Sequence, residues 1–376
     1  MSVFDATSGL TYATLSDAIN GSSPNDVLQV PAGNYVEDFP SITHNLTIDA
    51  IGGLAYLTTP QPIPVNGRAI LDVPFNAGVN LSISGLAISG AIDDYSISNG
   101  AGILFEVGNG LLTVNNSWIH GNQDGILTGG PDGASPGGNM SVVINHSEIA
   151  NNGVDPSNPR FGYDHNIYAG SLTSLTVNNS YIHDALGGHE IKSRALTTII
   201  TGNRIQDGPS ALTSYSIDLA DGGLGTITGN VIEKGASSPN RYMIHFGGEG
   251  TYFNSNLFVA GNTFINDRSA GATALFNQTQ DPNGGDPNYN ANMPATITGN
   301  VLYGVDPPNL FQDNFGPPTD IATNNLFPSG PAPMLDTSPG YDVPEPASFM
   351  LLLFAFAGVT MVKASRRLCQ PRPGSP

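Results

Sequence analysis

The chain of 376 residues contains 46 glycines and 29 prolines but only 11% charged residues, and its formal net charge is -19. Many short strands joined by tight turns suit that composition and long helices do not, and the acidic balance excludes a nucleic-acid partner, whose phosphates need a basic footprint. The single cysteine, Cys369, excludes an intrachain disulfide.

The first predicted element in chain order is a short helix. Thr14 stands as its N-cap with Asp17 three residues on, and Leu15, Ala18 and Ile19 give it one apolar face. A first strand follows in "VPAGNY" (30–35). One phrase then recurs, apolar-x-[Gly/Asn/His]-x-x-apolar. It reads "ISGLAI" (83–88), "VNNSWI" (114–119), "INHSEI" (144–149), "VNNSYI" (177–182), "ITGNRI" (200–205), "ITGNVI" (227–232), "VAGNTF" (259–264) and "ITGNVL" (297–302), with "IATNNLF" (321–327) as a degraded last copy. Gly and Asn, which dominate the third position, tolerate positive φ best, so each copy is expected to turn a corner between two inward apolar residues. A chain that turns the same corner about every 30 residues is most simply a solenoid of stacked parallel strands.

The second strand of each coil aligns on an inward apolar residue: Ile103, Ile126, Ile167, Ile191, Ile217, Ile244 and Leu275. Side chains alternate along a strand, so the next residue points outward, and that column reads Leu104, Leu127, Tyr168, Lys192, Asp218, His245 and Phe276. Lys192 is one of only three lysines. It would lie about 5 Å from Asp218 on the following coil. Two residues to either side, Asn166, Glu190 and Ser216 are expected on one flank of this patch and Arg194 on the other. His165 and His189 precede the column by three positions and are expected to point inward as hydrogen-bonding residues, while His183 reads as a turn residue.

If the patch is catalytic, no Ser-His-Asp, Cys-His, phosphate-loop or metal-spaced Cys/His pattern stands out in it, and what remains is proton transfer on a sugar. In β-elimination from a uronic acid a base removes the C5 proton, a cation neutralises the adjoining carboxylate and an acid assists the leaving oxygen. Lys192 suits the base and Arg194 a bidentate carboxylate clamp, with Asp218 and His245 orienting or assisting. A hydrolase would instead use Glu190 and Asp218, expected on the order of 8 Å apart, within the range for inverting glycosidases. Glu249 or Asp221 would serve as substitutes for either acid. A third reading is a non-catalytic face that binds polysaccharide. Tyr168 and Phe276 suit stacking on sugars under all three readings, and a plain solvated face with salt bridges competes with them.

The repeat resembles the right-handed parallel β-helix of the pectate-lyase-like proteins over roughly residues 10 to 327, and "TYATLSDAINGSSPNDVLQVPAGNYVE" (11–37) is similar to that family's opening. The resemblance implies a single-stranded right-handed parallel β-helix domain (1–327) whose short N-terminal helix caps the open end. "EIKSRALTTIITGNRI" (190–205) resembles the Lys-Ser segment of β-helical polysaccharide lyases that include chondroitinase B and alginate lyases, which implies Lys192 as base. The family's pattern places an arginine on the next coil as acid, where this chain has Asp218.

Two loops, "TGGPDGASPGGN" (128–139) and "DPNGGDPNYNAN" (281–292), read as flexible insertions. Asp281 and Asp286 of the second also offer oxygen ligands of the kind Ca2+ takes; no other cofactor or metal is expected. A Pro-rich linker (328–342) leads to "VPEPA" (343–347), the apolar run "SFMLLLFAFAGVTMV" (348–362) and the basic residues Lys363, Arg366 and Arg367. This order resembles the PEP-CTERM sorting signal (343–368) of Gram-negative bacteria, ahead of a tail (369–376). The implied features are a C-terminal hydrophobic helix, export to the outer surface or matrix, and recognition by an exosortase-type membrane protease. Because "MSVFDATSGL" has neither a basic n-region nor an apolar h-region, export calls for an upstream signal peptide. The sequence thus points to an all-β, exported, monomeric protein acting on an acidic polysaccharide, or binding an acidic or neutral one.

Overall fold

The computed structural model describes residues 1–61, 69–75, 78–92, 100–106, 108–129, 139–279, 293–313 and 321–332. Near the N-terminus Thr14 Oγ1 accepts the Asp17 N–H at 3.0 Å and starts the helix Leu15–Gly21, whose Leu15, Ala18 and Ile19 are buried in the core. An opening strand, Val3–Asp5, pairs antiparallel with its neighbours. From Asp26–Val36 onward the pairings are parallel, each strand bonding to the strands one coil before and one coil after it. The result is a larger sheet and a separate nine-stranded sheet, an all-β arrangement of stacked coils consistent with a parallel β-helix.

The repeated phrase builds the larger sheet. Its third position turns the corner in every copy, with φ between 45° at Asn116 and His146 and 70° at Gly85. The two apolar positions that flank each corner face inward: Val114 and Ile119, Ile200 and Ile205, and Ile227 and Ile232 are all fully buried. Each such side chain contributes about 1.5–3 kcal/mol on burial. One core runs from Val3 to Leu310 without a break.

A sharp corner takes backbone N–H groups out of the strand ladder, and they need other acceptors. The fourth position of the phrase supplies them. Ser147 Oγ accepts the Ser117 N–H (3.2 Å), Ser180 Oγ accepts the Ser147 N–H (3.2 Å) and Asn203 Oδ1 accepts the Ser180 N–H (2.9 Å). Asn230, Asn262, Asn300 and Asn325 continue the series at 2.8 to 3.1 Å. The asparagines also bond to one another and to the carbonyl of the strand before, as Asn230 Nδ2 does to Asn262 Oδ1 and Ile200 O. Stacking in register is what lets each coil satisfy its neighbour.

Within the described residues no helix is long and apolar enough to cross a membrane. The "VPEPA" motif, the run 348–362 with its expected helix, and residues 281–292 with the expected Ca2+ ligands lie outside the described residues.

Asn230→Leu keeps the size but orphans the Asn203 N–H and removes the bonds that Asn230 makes to Asn203 Nδ2 and the Ile200 carbonyl, and should cost about 2 kcal/mol or more in denaturant unfolding. Asn230→Ser, which restores the residue used at 117, 147 and 180, should cost less. Wild-type stability in Asn230→Leu would contradict the ladder's role.

Candidate active site

The nine-stranded sheet aligns the outward column in the register expected. Tyr168 lies opposite Lys192, Lys192 opposite Asp218, Asp218 opposite His245, and His245 opposite Phe276. These residues are not a solvated face. Lys192 is 7% exposed, Asp218 0% and His245 4%. Tyr215 stacks on the His245 ring at 4.5 Å, and Phe276 lies against its surroundings at 5.3 Å from the same ring.

Asp218 is the centre of the arrangement. His245 Nδ1 lies 2.8 Å from Oδ1, while His189 Nε2 and Lys192 Nζ stand 3.3 and 3.4 Å from Oδ2, which otherwise has no close hydrogen bond. Burial alone would raise the Asp218 carboxyl, but hydrogen bonds from His189 and His245 hold it well below the usual carboxylate range. It is therefore a buried anion served from three sides.

The two histidines of the wall have defined tautomers. His165 Nδ1 accepts the His189 N–H at 3.0 Å, and His189 Nδ1 accepts the Tyr215 N–H at 3.2 Å. Burial holds both rings below the ordinary histidine value, His165 furthest. Each neutral ring must then carry its proton on Nε2, and that of His189 points toward Asp218. Both rings thus make the backbone bond expected of inward residues while also lining an open pocket of about 610 Å³.

Lys192 and Arg194 converge on one carboxylate. Lys192 Nζ donates to Glu249 Oε1 at 2.6 Å, and Arg194 Nη2 pairs with Glu249 Oε2. Arg194 also donates to the Tyr168 hydroxyl (2.9 Å, from Nε) and to Asp221 Oδ1 (2.6 Å), and its carbonyl accepts the Tyr252 hydroxyl at 2.8 Å. Burial works against the Arg194 charge, but Tyr168, Asp221 and Glu249 more than offset it. Burial likewise raises Glu249, and Lys192 and Arg194 reverse this and hold it ionised. Glu249 is the exposed member, with 43% of its side chain in solvent against 9% for Lys192 and 19% for Arg194.

The pocket takes in Tyr168, His165, His189, Lys192, Arg194 and Glu249 of the expected residues. It excludes Glu190 and Asn166, which were expected on its flank, and also Asp218 and His245, which lie buried behind it. Glu190 is fully buried: Oε1 accepts the Ala185 N–H and the Thr213 hydroxyl at 3.0 Å each, and Oε2 accepts from Asn166. Asn166 Oδ1 accepts the Asn152 N–H at 3.1 Å in a second corner ladder that also runs through Asn122. The reason is local. The strands here run only Ile167–Ala169, Ile191–Ser193 and Ile217–Leu219, so alternation stops one residue after the inward isoleucine going backward, and the corner turns residues 166, 190 and 216 inside. Burial, with Asp207 nearby, pushes Glu190 up to about 8.

Other pocket residues had no strong sequence signal. Arg160 reaches it from a turn, held by Asp164 through Nε (3.1 Å) and Nη2 (2.7 Å), and Tyr163 joins it from the same turn with 70% exposure. An arginine four residues before an aspartate in "RFGYD" hints at that pair. Behind the wall, burial and the neighbouring Asp164 push Asp124 well above the carboxylate range, and its Oδ1 accepts the His165 N–H at 2.8 Å. Among the described residues no group of three or more His, Cys, Asp or Glu is placed to hold a metal ion.

Comparisons with known protein families, with curated proteins and with solved structures found no match to this chain. The family resemblances read from the sequence therefore rest on the quoted residues.

His183 lies on the other sheet, in the strand Tyr181–His183, rather than in a turn. Its Nδ1 is 2.7 Å from Asp184 Oδ2 and its Nε2 3.3 Å from Glu148 Oε1. Burial lowers it, but these two carboxylates win and carry it up to about 9, above the ordinary 6.5. Its charged form contributes stability that is complete below pH 6.5 and is lost as pH rises through about 9. The melting-temperature gap between wild type and His183→Gln should be widest in acid and close across that window. A gap independent of pH would contradict this pairing.

Proposed function

We propose that this chain is an exported, right-handed parallel β-helix protein of the pectate-lyase-like kind that cleaves an acidic polysaccharide by β-elimination. The observation that carries the reading is the convergence of Lys192 and Arg194 on a single carboxylate at the wall of an open pocket. Two cations so placed suit the carboxylate of a uronic acid, with Tyr163 and Tyr168 available to the sugar faces.

In the proposed reaction the substrate carboxylate takes the place of Glu249 on Arg194, and its neutralisation acidifies the C5 proton. The incoming carboxylate replaces Glu249 beside Lys192 as well, and Asp218 stays 3.4 Å from Nζ. Lys192 acts as base in its neutral form, its ammonium proton having passed to solvent; the amine lone pair takes the C5 proton while an N–H still donates to the substrate carboxylate. The C5–H electron pair forms the C4–C5 double bond as the C4–O bond breaks, and the Tyr168 hydroxyl, held by Arg194, protonates the departing oxygen. His189 and His245 fix Asp218, which orients Lys192. The hydrolase alternative loses its Glu190–Asp218 pair, because both carboxylates are fully buried and neither lines the pocket.

A second reading, a non-catalytic uronate-binding face, is favoured by one observation: Lys192 is ion-paired on two sides in the free protein. Export follows from the resemblance of residues 343–368 to a sorting signal, with an exosortase-type protease as partner.

Incubation with a panel of uronate polymers separates these readings. A lyase gives ultraviolet absorbance from unsaturated uronides, reduced at least about a hundredfold by Lys192→Ala. New reducing ends without that absorbance would replace the reading with a hydrolase, and polymer retention without either product would replace it with a binder.

A further inference from the structure

We infer that Glu249 is the specificity determinant of the pocket: it occupies the carboxylate-binding position in the free protein, and only a ligand that brings its own carboxylate can replace it. The inference rests on the reading of the pocket as a uronate site, but not on β-elimination taking place there.

The charges make the exchange selective. Lys192 and Arg194 face Asp218, Asp221 and Glu249, so two positive groups meet three negative ones. If Glu249 swings out, Lys192 keeps Asp218 and Arg194 keeps Asp221, and the group is neutral. A uronate carboxylate then restores the original balance atom for atom, accepting from Nζ and Nη2 as Glu249 did. A neutral sugar offers hydroxyls only, and removing Glu249 for it would leave two largely buried cations short of a partner they had. Neutral ligands are thereby selected against, which attraction to the cations alone would not achieve.

The backbone favours movement of the side chain rather than of the whole loop. The Glu249 and Gly250 N–H groups both donate to Ala220 O, at 3.0 and 3.2 Å, and the Tyr252 N–H donates to Asp221 O at 3.0 Å. Gly248 lies so close to His245 that a Cβ would come within 2.7 Å of Cε1, and its φ of 97° also calls for glycine. The segment is therefore clamped onto the preceding coil, while the Glu249 side chain, the most exposed of the group, is held only by Lys192 and Arg194.

The test is binding of sodium glucuronate, with glucose as the neutral control, followed by isothermal titration of the full chain. Glu249→Gln should bind glucuronate about tenfold more tightly than wild type and should admit glucose, which wild type excludes. Adding Arg194→Met to Glu249→Gln should abolish the gain. Glu249→Ser, which removes the carboxylate differently, should reproduce it if the first variant does not fold. Unchanged or weaker glucuronate binding in a folded Glu249 variant, or exclusion of glucose that persists without the Glu249 carboxylate, would overturn the inference. Tighter glucuronate binding together with no unsaturated product from any polymer would leave this inference standing and remove the lyase reading.

Discussion

Everything in this structure depends on coils that stack in strict register, and the constraint that enforces register is the supply of acceptors for corner N–H groups. Each corner strains the chain into positive φ and strips amides from the strand ladder. Ser117, Ser147, Ser180, Asn203, Asn230, Asn262 and Asn300 return those acceptors from the adjoining coil, and all are buried. A one-residue slip would orphan these donors and turn every inward isoleucine to the other face. Hydrophobic burial supplies most of the driving force, and the ladder selects one alignment from the several that burial would accept.

That alignment also assembles the pocket wall and the buried groups behind it. Tyr168, Lys192, Asp218 and His245 come from four successive coils, with no sequence proximity to hold them together. In a chain with so few charges, their concentration on one face would be costly without mutual pairing. The structure resolves this by serving buried Asp218 with His189, His245 and Lys192 and by bridging Lys192 to Arg194 through Glu249. The one carboxylate of the group with substantial access to water is the one that joins the two cations. The pocket thus holds an internal anion at the place where an external one is proposed to bind.

Much of this was readable in the sequence, for physical reasons. The third position of the repeat showed the corners because only residues tolerant of positive φ recur there, and the period-2 rule put the outward column in its observed register. The same rule failed at Glu190 and Asn166, since it holds only while the chain is extended and these strands are three residues long. The Ser and Asn series at the fourth position stood in the quoted phrases beside the corner residues, and its signal was the small polar residue repeated between two apolar ones. Arg160 and the reach of Glu249 across two coils could not be read in this way, because both arrive from turns whose path no periodicity fixes.

The most direct test of the account is a crystal structure of the protein with a bound uronate trisaccharide. The account predicts one uronate carboxylate within hydrogen-bond distance of Lys192 Nζ and Arg194 Nη2, with the Glu249 side chain rotated into solvent and Asp218 still held by His189 and His245. A trisaccharide seated elsewhere, or one seated in the pocket while Glu249 still bridges the two cations, would contradict it.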